Sequence, residues 1–455
     1  MTLLLRPVRA DLPDVTVTRT RPTAATVPAE AVLRARRAPG ALLLTAGLLL
    51  GLAGPSPAAA APVPVPSPAA SPLTTTPAGV ALGRRVSAAL SASGAATVAV
   101  AVDVEGHGRV LRRNAWTALP PASTQKNFTA LSALVALGPA TRLRTEVAAT
   151  ADPVAGRLAG GLWLVAGGDP YLTTAQLRAL AGRVRAAGIT TVQGDLLLDD
   201  TRYDAQRRAS GWKASFVPGQ SGPLSALALD RNSWRRDAAF LADPAVPATA
   251  RFRDHLRAAG VTVTGAVRRA ARPTTARTVA VHASAPLSSV VSRVLKRSDN
   301  FAAELLLKEV GRTVRADGST AGGSAAARSV LGALGVVAGA GTDGSGLSSR
   351  DRQTAAAQLS LLRVGRTAAG STFRAALPVG CVDGTLRTRF CGTPAAGRVA
   401  AKTGTLSGVR SLAGYTTTAS GRQVHFAVQL TGVRDGARAL RAIDRAVVLL
   451  TSARP

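Results

Sequence analysis

The sequence predicts an α+β fold in which strands from both ends of the chain form one sheet around an inserted module. Residues 97–103 alternate in the manner of a half-buried strand. Residues 398–403, 409–418 and 422–431 have strand character close to the other end of the chain, with Gly421 in a turn between the last two. Since sequential strands with short connections usually pair, we expect these segments to share one sheet.

Two terminal helices accompany these strands. Residues 82–93 fit a short amphipathic helix, and residues 436–452 place apolar side chains at helical spacing. Between the first helix and the insertion, residues 109–113 are expected to return as a strand after a Gly-containing turn. The two helices should cover one face of the sheet, because the apolar face of a sheet has to be buried against another element.

The middle of the chain, residues 142–285, is interpreted as a separate α+β module inserted into this domain. Residues 162–167 and 192–198 are predicted strands, and residues 174–187 a predicted helix. No convincing internal repeat is visible in this part of the chain.

Three helical segments follow the insertion, at 286–315, 324–335 and 353–364. The domain that carries the chemistry is therefore expected to consist of residues 79–141 and 286–455.

The N-terminus indicates export. Residues 41–54 are an uncharged apolar run that follows three arginines and precedes Ala58-Ala59-Ala60, which is the order of a secretory signal peptide. We predict a signal peptide with a long N-terminal extension over 1–61 and a Pro-rich extended linker over 62–78. An uncleaved anchor is the alternative. No second long apolar run follows, so no transmembrane segment is expected in the mature chain.

The charge balance is strongly basic, with 56 Lys and Arg against 25 Asp and Glu, or +31. Only five of the 56 are lysines, so coding preference for arginine explains part of the excess. The charge still predicts attraction to polyanions. Export and the lack of any nucleic-acid-binding signature argue against a nucleic-acid partner.

The four histidines, His107, His255, His282 and His425, form no cluster in the sequence. Neither a metal site nor a Ser-His-Asp triad is therefore predicted, and no cofactor is expected.

The two cysteines, Cys381 and Cys391, flank a segment that contains the turn signal Asp383-Gly384. A turn there could bring them together, and an exported protein favours a disulfide. Two buried thiols are the alternative.

Ser123 and Lys126 form the first candidate catalytic pair. They stand three residues apart at the start of an apolar helical stretch, so both side chains should lie on one face. A serine hydroxyl becomes a useful nucleophile when a nearby base takes its proton. A lysine can be that base if burial lowers its pKa toward neutrality. Ser210-Gly211-Trp212-Lys213 has the same spacing, but Gly211 interrupts a helix and no apolar helical run follows.

Two further motifs support a catalytic role for Ser123 and Lys126. Ser298-Asp299-Asn300, alone, is typical of a helix-capping turn, and Lys402-Thr403-Gly404, alone, is typical of an exposed strand end. Together with Ser-x-x-Lys and in this order, they match the active-site signature of penicillin-binding proteins and serine β-lactamases.

The chain resembles the D-alanyl-D-alanine carboxypeptidase/endopeptidase family (peptidase family S13, class C low-molecular-mass penicillin-binding proteins). The segments 382–386, 392–395 and 343–348 carry this resemblance beyond the three motifs. It implies a transpeptidase-like domain, with an antiparallel sheet flanked by helices and a helical subdomain.

The resemblance also implies roles for the motif residues. Ser123 would be acylated with Lys126 as its base, and Ser298 would relay a proton to the leaving nitrogen. Asn300 would bind the substrate amide, and Lys402 would supply positive potential. Thr403 and Thr405, with Gly404 between them, would bind the terminal carboxylate. The backbone N–H groups of Ser123 and Thr405 would form an oxyanion hole.

The implied function is that of a serine D-Ala-D-Ala carboxypeptidase, with endopeptidase action as an additional activity left open, which acts on peptidoglycan stem peptides and is acylated by β-lactams. A serine β-lactamase is the nearest alternative, although no Glu-x-x-Leu-Asn arrangement is present and the insertion is large. A non-catalytic wall-binding homologue and a polyanion-binding surface protein are alternatives of other classes. The intact motifs argue against both.

An enzyme of this kind would act at the outer face of the cell envelope or be secreted.

Overall fold

The computed structural model describes residues 75–367 and 370–455. The predicted signal peptide and nearly all of the predicted linker lie outside the described residues. The first helix begins at Pro77, inside the segment expected to be linker. The side chain of Thr76 caps it by accepting a hydrogen bond from the backbone N–H of Gly79, and a proline suits the first turn because its missing N–H would have no partner there.

The strands are, in chain order, β1 (Thr97–Val104), β2 (Gly108–Arg113), β3 (Arg144–Ala149), β4 (Arg157–Leu158), β5 (Leu162–Val165), β6 (Thr191–Val192), β7 (Leu196–Asp199), β8 (Thr262–Val263), β9 (Val267–Arg269), β10 (Arg277–Ala283), β11 (Ala400–Leu406), β12 (Val409–Thr417) and β13 (Gln423–Thr431). The helices are α1 (Pro77–Ser91), α2 (Gln125–Leu137), α3 (Thr174–Ala186), α4 (Phe216–Gly219), α5 (Ala238–Ala242), α6 (Ala245–Ala258), α7 (Leu287–Arg297), α8 (Asn300–Arg315), α9 (Thr320–Ala333), α10 (Ala355–Val364), α11 (Ser371–Ala375) and α12 (Gly436–Ser452).

Both ends of the chain contribute to one five-stranded antiparallel sheet of order β11-β12-β13-β1-β2. Alternation along β1 separates its two faces. Val98, Val100 and Val102 pack in one core with α1 and α12, whereas Ala99 and Ala101 face a second core formed largely by helices. The predicted α+β class, with terminal helices on one face of the sheet, is confirmed.

The segment between β2 and α7 builds two further sheets. One has the order β10-β3-β5-β7-β9 and the other β4-β6-β8. The single strand predicted over 192–198 is wrong, because β6 ends at Val192 and β7 begins at Leu196, in different sheets. Gly194 occupies the break, where a Cβ would lie 2.6 Å from the carbonyl group of Gly160.

The continuous helix predicted over 286–315 is also wrong. It is divided into α7 and α8 at Ser298, which adopts the left-handed conformation (φ 54°, ψ 41°) and ends α7. Asp299 then caps α8 by accepting a hydrogen bond from the N–H of Ala302. The capping expected of Ser298-Asp299-Asn300 therefore outweighs the continuous apolar pattern on either side.

Among the residues that the structure describes, no helix is both long and apolar enough to cross a membrane. The same residues contain no group of three or more His, Cys, Asp or Glu side chains arranged to hold a metal ion.

A disulfide joins Cys381 and Cys391, ten positions apart in the sequence. The loop that it closes precedes β11 and contains Thr385, whose hydroxyl contacts that strand. The disulfide therefore constrains a segment beside the cleft described below.

Replacing both cysteines with serine should lower the free energy of unfolding by about 2–3 kcal/mol, because the unfolded chain regains the entropy of a loop of this length. Chemical denaturation with and without dithiothreitol measures the effect. Reductant should destabilise the wild-type protein and leave the double variant unchanged. Equal stability of the oxidised and reduced wild-type proteins would contradict the prediction.

Candidate active site

Ser123 lies in a short 3-10 turn, Ala122–Thr124, directly before α2. Lys126 is in the first turn of α2 and is fully buried. Its Nζ lies 3.1 Å from Ser123 Oγ. The three-residue spacing thus puts amine and hydroxyl within hydrogen-bond distance, as the sequence predicted, although Ser123 precedes the α-helix instead of belonging to it.

Two carbonyl oxygens also contact the amine of Lys126. Asn300 Oδ1 lies 2.7 Å from Nζ, and the backbone oxygen of Ser345 lies 2.6 Å from it. Burial lowers the pKa of Lys126 to about 8, although the negative charges of Asp343 and Glu304 oppose this shift. An amine with this pKa is partly uncharged near neutral pH, which a general base requires.

Lys402, on β11, is the second buried amine of the site. Its Nζ donates hydrogen bonds to Ser298 Oγ at 2.9 Å and to the backbone oxygen of Thr403 at 2.8 Å. Burial lowers the pKa of Lys402, and the nearby charge of Lys126 lowers it further. Ser298 therefore stands beside Lys402, and the left-handed conformation of Ser298 is what turns the chain between α7 and α8 there.

Asn300 connects the amine of Lys126 to the inserted segment. Its Nδ2 donates a hydrogen bond to the backbone oxygen of Gln220 at 3.1 Å. Its neighbour Asp299 accepts hydrogen bonds from Arg231 at 2.8 Å and from the hydroxyl of Tyr171 at 3.2 Å. Three residues of the insertion thus hold the Ser-Asp-Asn turn in place.

Strand β11 lies directly against the turn that carries Ser123. A Cβ at Gly404 would be 2.0 Å from Ser411 Oγ and 2.8 Å from the backbone oxygen of Pro121. Ser411 donates a hydrogen bond to that same oxygen at 2.7 Å. Glycine at position 404 is therefore required by this close approach.

One cleft of about 670 Å³ opens onto these groups. Polar side chains line one part of it, those of Ser123, Ser298, Asn300, Thr385, Thr403 and Thr405. Apolar side chains line another part, those of Phe216, Leu347 and Leu406. Such a mixture suits an extended peptide that carries a few polar groups.

The structure brings together all the residues that the three motifs predicted. Lys213, from the second Ser-x-x-Lys segment, lines the same cleft, and Ser210 accepts a hydrogen bond from Arg350 at 3.1 Å. Sequence reasoning missed the carbonyl of Ser345 and that of Gln220. It had no means of finding them, because every residue carries a backbone carbonyl.

The fold and the three motifs around one cleft define a protein of the penicillin-binding class. The sequence profile of the D-Ala-D-Ala carboxypeptidase 3 (S13) family matches residues 85–240 and 237–454, and the chain belongs to this family. It is similar to a D-alanyl-D-alanine carboxypeptidase of Actinomadura sp. strain R39, with 32% identity over 405 residues that cover 71% of this chain and 75% of the relative.

Solved structures show the same fold. Penicillin-binding protein 4 of Haemophilus influenzae superimposes with a TM-score of 0.73 at 24% identity, covering 80% of this chain and 98% of the other. Its complex with a novel β-lactam superimposes with a TM-score of 0.66 at 25% identity and the same coverage.

Gly404→Ala should push β11 away from the Ser123 turn. We expect labelling by a fluorescent penicillin to slow at least tenfold and the free energy of unfolding to fall by about 1–3 kcal/mol, as for other overpacked sites. Gly182→Ala is the matched control, since a Cβ at this position in α3 meets nothing within 4 Å. The control should label at the wild-type rate. Equal behaviour of the two variants would refute the close-packing argument.

Proposed function

We propose that this protein is a serine-type D-Ala-D-Ala carboxypeptidase that acts on peptidoglycan stem peptides through an acyl-enzyme at Ser123. The observation that carries the proposal is the 3.1 Å approach of a buried, pKa-lowered amine to the Ser123 hydroxyl, inside a cleft whose other side holds Ser298 beside Lys402. Membership of the S13 family supports the same reaction class.

Acylation follows from these contacts. Ser123 Oγ attacks the carbonyl carbon of the penultimate D-alanine while Lys126 Nζ accepts the hydroxyl proton. The peptide C–N bond then breaks, and the proton that Lys126 took from Ser123 passes through Ser298 to the departing D-alanine nitrogen, which leaves Lys126 uncharged again. Ser298 is within hydrogen-bond distance of Lys402 and faces the cleft, so it is suited to that relay. Water later hydrolyses the ester and restores the serine.

The substrate ends in a carboxylate, and the strand β11 offers it complementary groups. Lys402 lies behind Ser298, where its ammonium form would supply positive potential, and the side chains of Thr403 and Thr405 line the cleft. The approach of the carboxylate favours that ammonium form. We assign the backbone N–H groups of Ser123 and Thr405 to the oxyanion of the tetrahedral intermediate. One such donor is typically worth about 10²–10³ in rate.

β-Lactams are proposed to acylate the same serine, because their strained amide and carboxylate present the same features as the terminal dipeptide. A solved relative of similar fold, the Haemophilus influenzae protein, is known in complex with a β-lactam.

The basic, apolar and small-residue order of the N-terminus supports export, so we place the enzyme at the outer face of the envelope, associated with the wall or secreted.

Incubation of the full-length protein with a fluorescent penicillin, followed by peptide mapping, should place the label on Ser123. Ser123→Ala should abolish labelling. Ser210→Ala, from the other Ser-x-x-Lys segment, is the matched control and should label normally. A label on Ser210, or no label, would defeat the assignment, and rapid turnover of the penicillin would identify a β-lactamase.

The acylation rate should depend on pH through Lys126. The uncharged amine is the active base, so the rate should rise about tenfold per pH unit below about 8 and level off above it. Lys126→Ala should remove acylation without unfolding the protein. The titratable neighbours that act on Lys126 are Asp343, Glu304, Asp299, Asp351 and Lys402.

Stopped-flow labelling between pH 6 and 9.5 measures this profile, and a thermal melt at each pH checks that the protein stays folded. Acylation that is equally fast at pH 6 and pH 9 would rule out Lys126 as the titrating base. So would normal labelling of the Lys126→Ala variant.

A further inference from the structure

The turn Asp343–Ser348 controls one of the three contacts of the catalytic amine. An uncharged lysine amine has two hydrogens and one lone pair. Asn300 Oδ1 and the backbone oxygen of Ser345, at 2.7 and 2.6 Å, accept the two hydrogens. The lone pair is then left for the Ser123 hydroxyl at 3.1 Å. The position of the Ser345 carbonyl therefore decides where the lone pair points.

The carboxylate of Asp343 organises this turn. One of its oxygens accepts a hydrogen bond from the N–H of Gly346 at 2.6 Å. The other accepts from the N–H of Ser348 at 2.8 Å and from the hydroxyl of Ser345 at 3.1 Å. Since Asp343 is completely buried, its carboxyl oxygens need hydrogen-bond donors of this kind. All three of these donors belong to the turn itself.

A fourth donor comes from the inserted segment. The indole N–H of Trp212 donates to Asp343 Oδ2 at 2.8 Å, and the ring packs against Leu347. The neighbouring backbone is equally close, because a Cβ on Gly211 would lie 2.3 Å from Ser348 Oγ. This is the segment 210–213, which has Ser-x-x-Lys spacing but is not itself a nucleophile motif.

We propose that Trp212 is a positioning residue for the acylation step, acting through Asp343 and the Ser345 carbonyl on the lone pair of Lys126. The proposal rests on the proposed function of Ser123 and Lys126 and adds to it a residue of the insertion. It also gives a role to Asp343-Gly344-Ser345-Gly346-Leu347-Ser348. Through this contact the inserted segment sets the rate at which the serine is acylated.

Trp212→Phe keeps an aromatic ring and removes the N–H. We expect the limiting rate constant for penicillin acylation to fall about 10- to 100-fold, while the dissociation constant of the non-covalent complex changes less than twofold. Trp163→Phe is the matched control, because its indole nitrogen is buried without a hydrogen-bond partner. That variant should acylate at the wild-type rate.

A double-mutant cycle with Asp343→Asn separates positioning from a general loss of stability. If Trp212 acts through Asp343, the double variant should be no slower than the slower single variant. If the two substitutions lowered the acylation rate independently, so that their effects multiplied in the double variant, the proposal would be overturned. A wild-type acylation rate for Trp212→Phe, or equal losses of rate in Trp212→Phe and Trp163→Phe, would also overturn it.

If Trp212→Phe does not fold, Gly211→Ala tests the same contact with the indole still present. Its Cβ should force the segment away from Ser348 and slow acylation, and a wild-type rate would overturn the proposal. Failure of the proposed function is distinguishable throughout, because then the wild-type protein itself would carry no label on Ser123.

Discussion

The burial of one amine, that of Lys126, is the constraint on which the rest of the site depends. A lysine removed from water loses the hydration of its ammonium, and the resulting fall in pKa makes it a usable base. The N–H groups and the lone pair of the buried amine still need hydrogen-bond partners, which neighbours in fixed positions have to provide. Ser123, Asn300 and Ser345 do this from a turn before α2, the start of α8 and a distant loop. Three parts of the fold thus meet at a single nitrogen atom.

The insertion contributes to the same point although it carries no catalytic motif. It reaches the site through the carbonyl of Gln220 on Asn300, through Tyr171 and Arg231 on Asp299, and through the indole of Trp212 on the turn before Ser348. The first contact holds Asn300 directly, the second holds the residue next to it in the chain, and the third holds the turn whose Ser345 carbonyl contacts Lys126. A segment with two sheets of its own, whose core also includes Phe301 and Leu305 of α8, therefore supports residues of the cleft.

Much of this arrangement could be predicted from the sequence, for reasons that individual residues make clear. Helical spacing places Ser123 and Lys126 on one face whatever surrounds them, and strand alternation identifies β1 and β13. Ser298-Asp299-Asn300 has the character of a capping turn, but the apolar pattern continues on both sides without glycine or proline, so the pattern alone predicts one helix over 286–315. The hydrogen bond from Trp212 to Asp343 spans 131 positions and involves no repeated pattern. One weak feature of the sequence points to Glu304 as a site residue, because it is an acid within the apolar stretch that begins at Phe301.

Glu304 and its neighbours show how so many acids can lie beside a base. Glu304 accepts hydrogen bonds from the N–H groups of Gly344 and Ser345, at 3.0 and 2.8 Å. Burial raises the pKa of Glu304 and that of Asp351, and the charge of Asp343 raises both further. Burial therefore favours the neutral, protonated forms of these two carboxyl groups. If all three were ionised, they would stabilise the ammonium form of Lys126 and raise its pKa. With two of them mostly neutral, the turn keeps its hydrogen bonds while burial still dominates the pKa of the base.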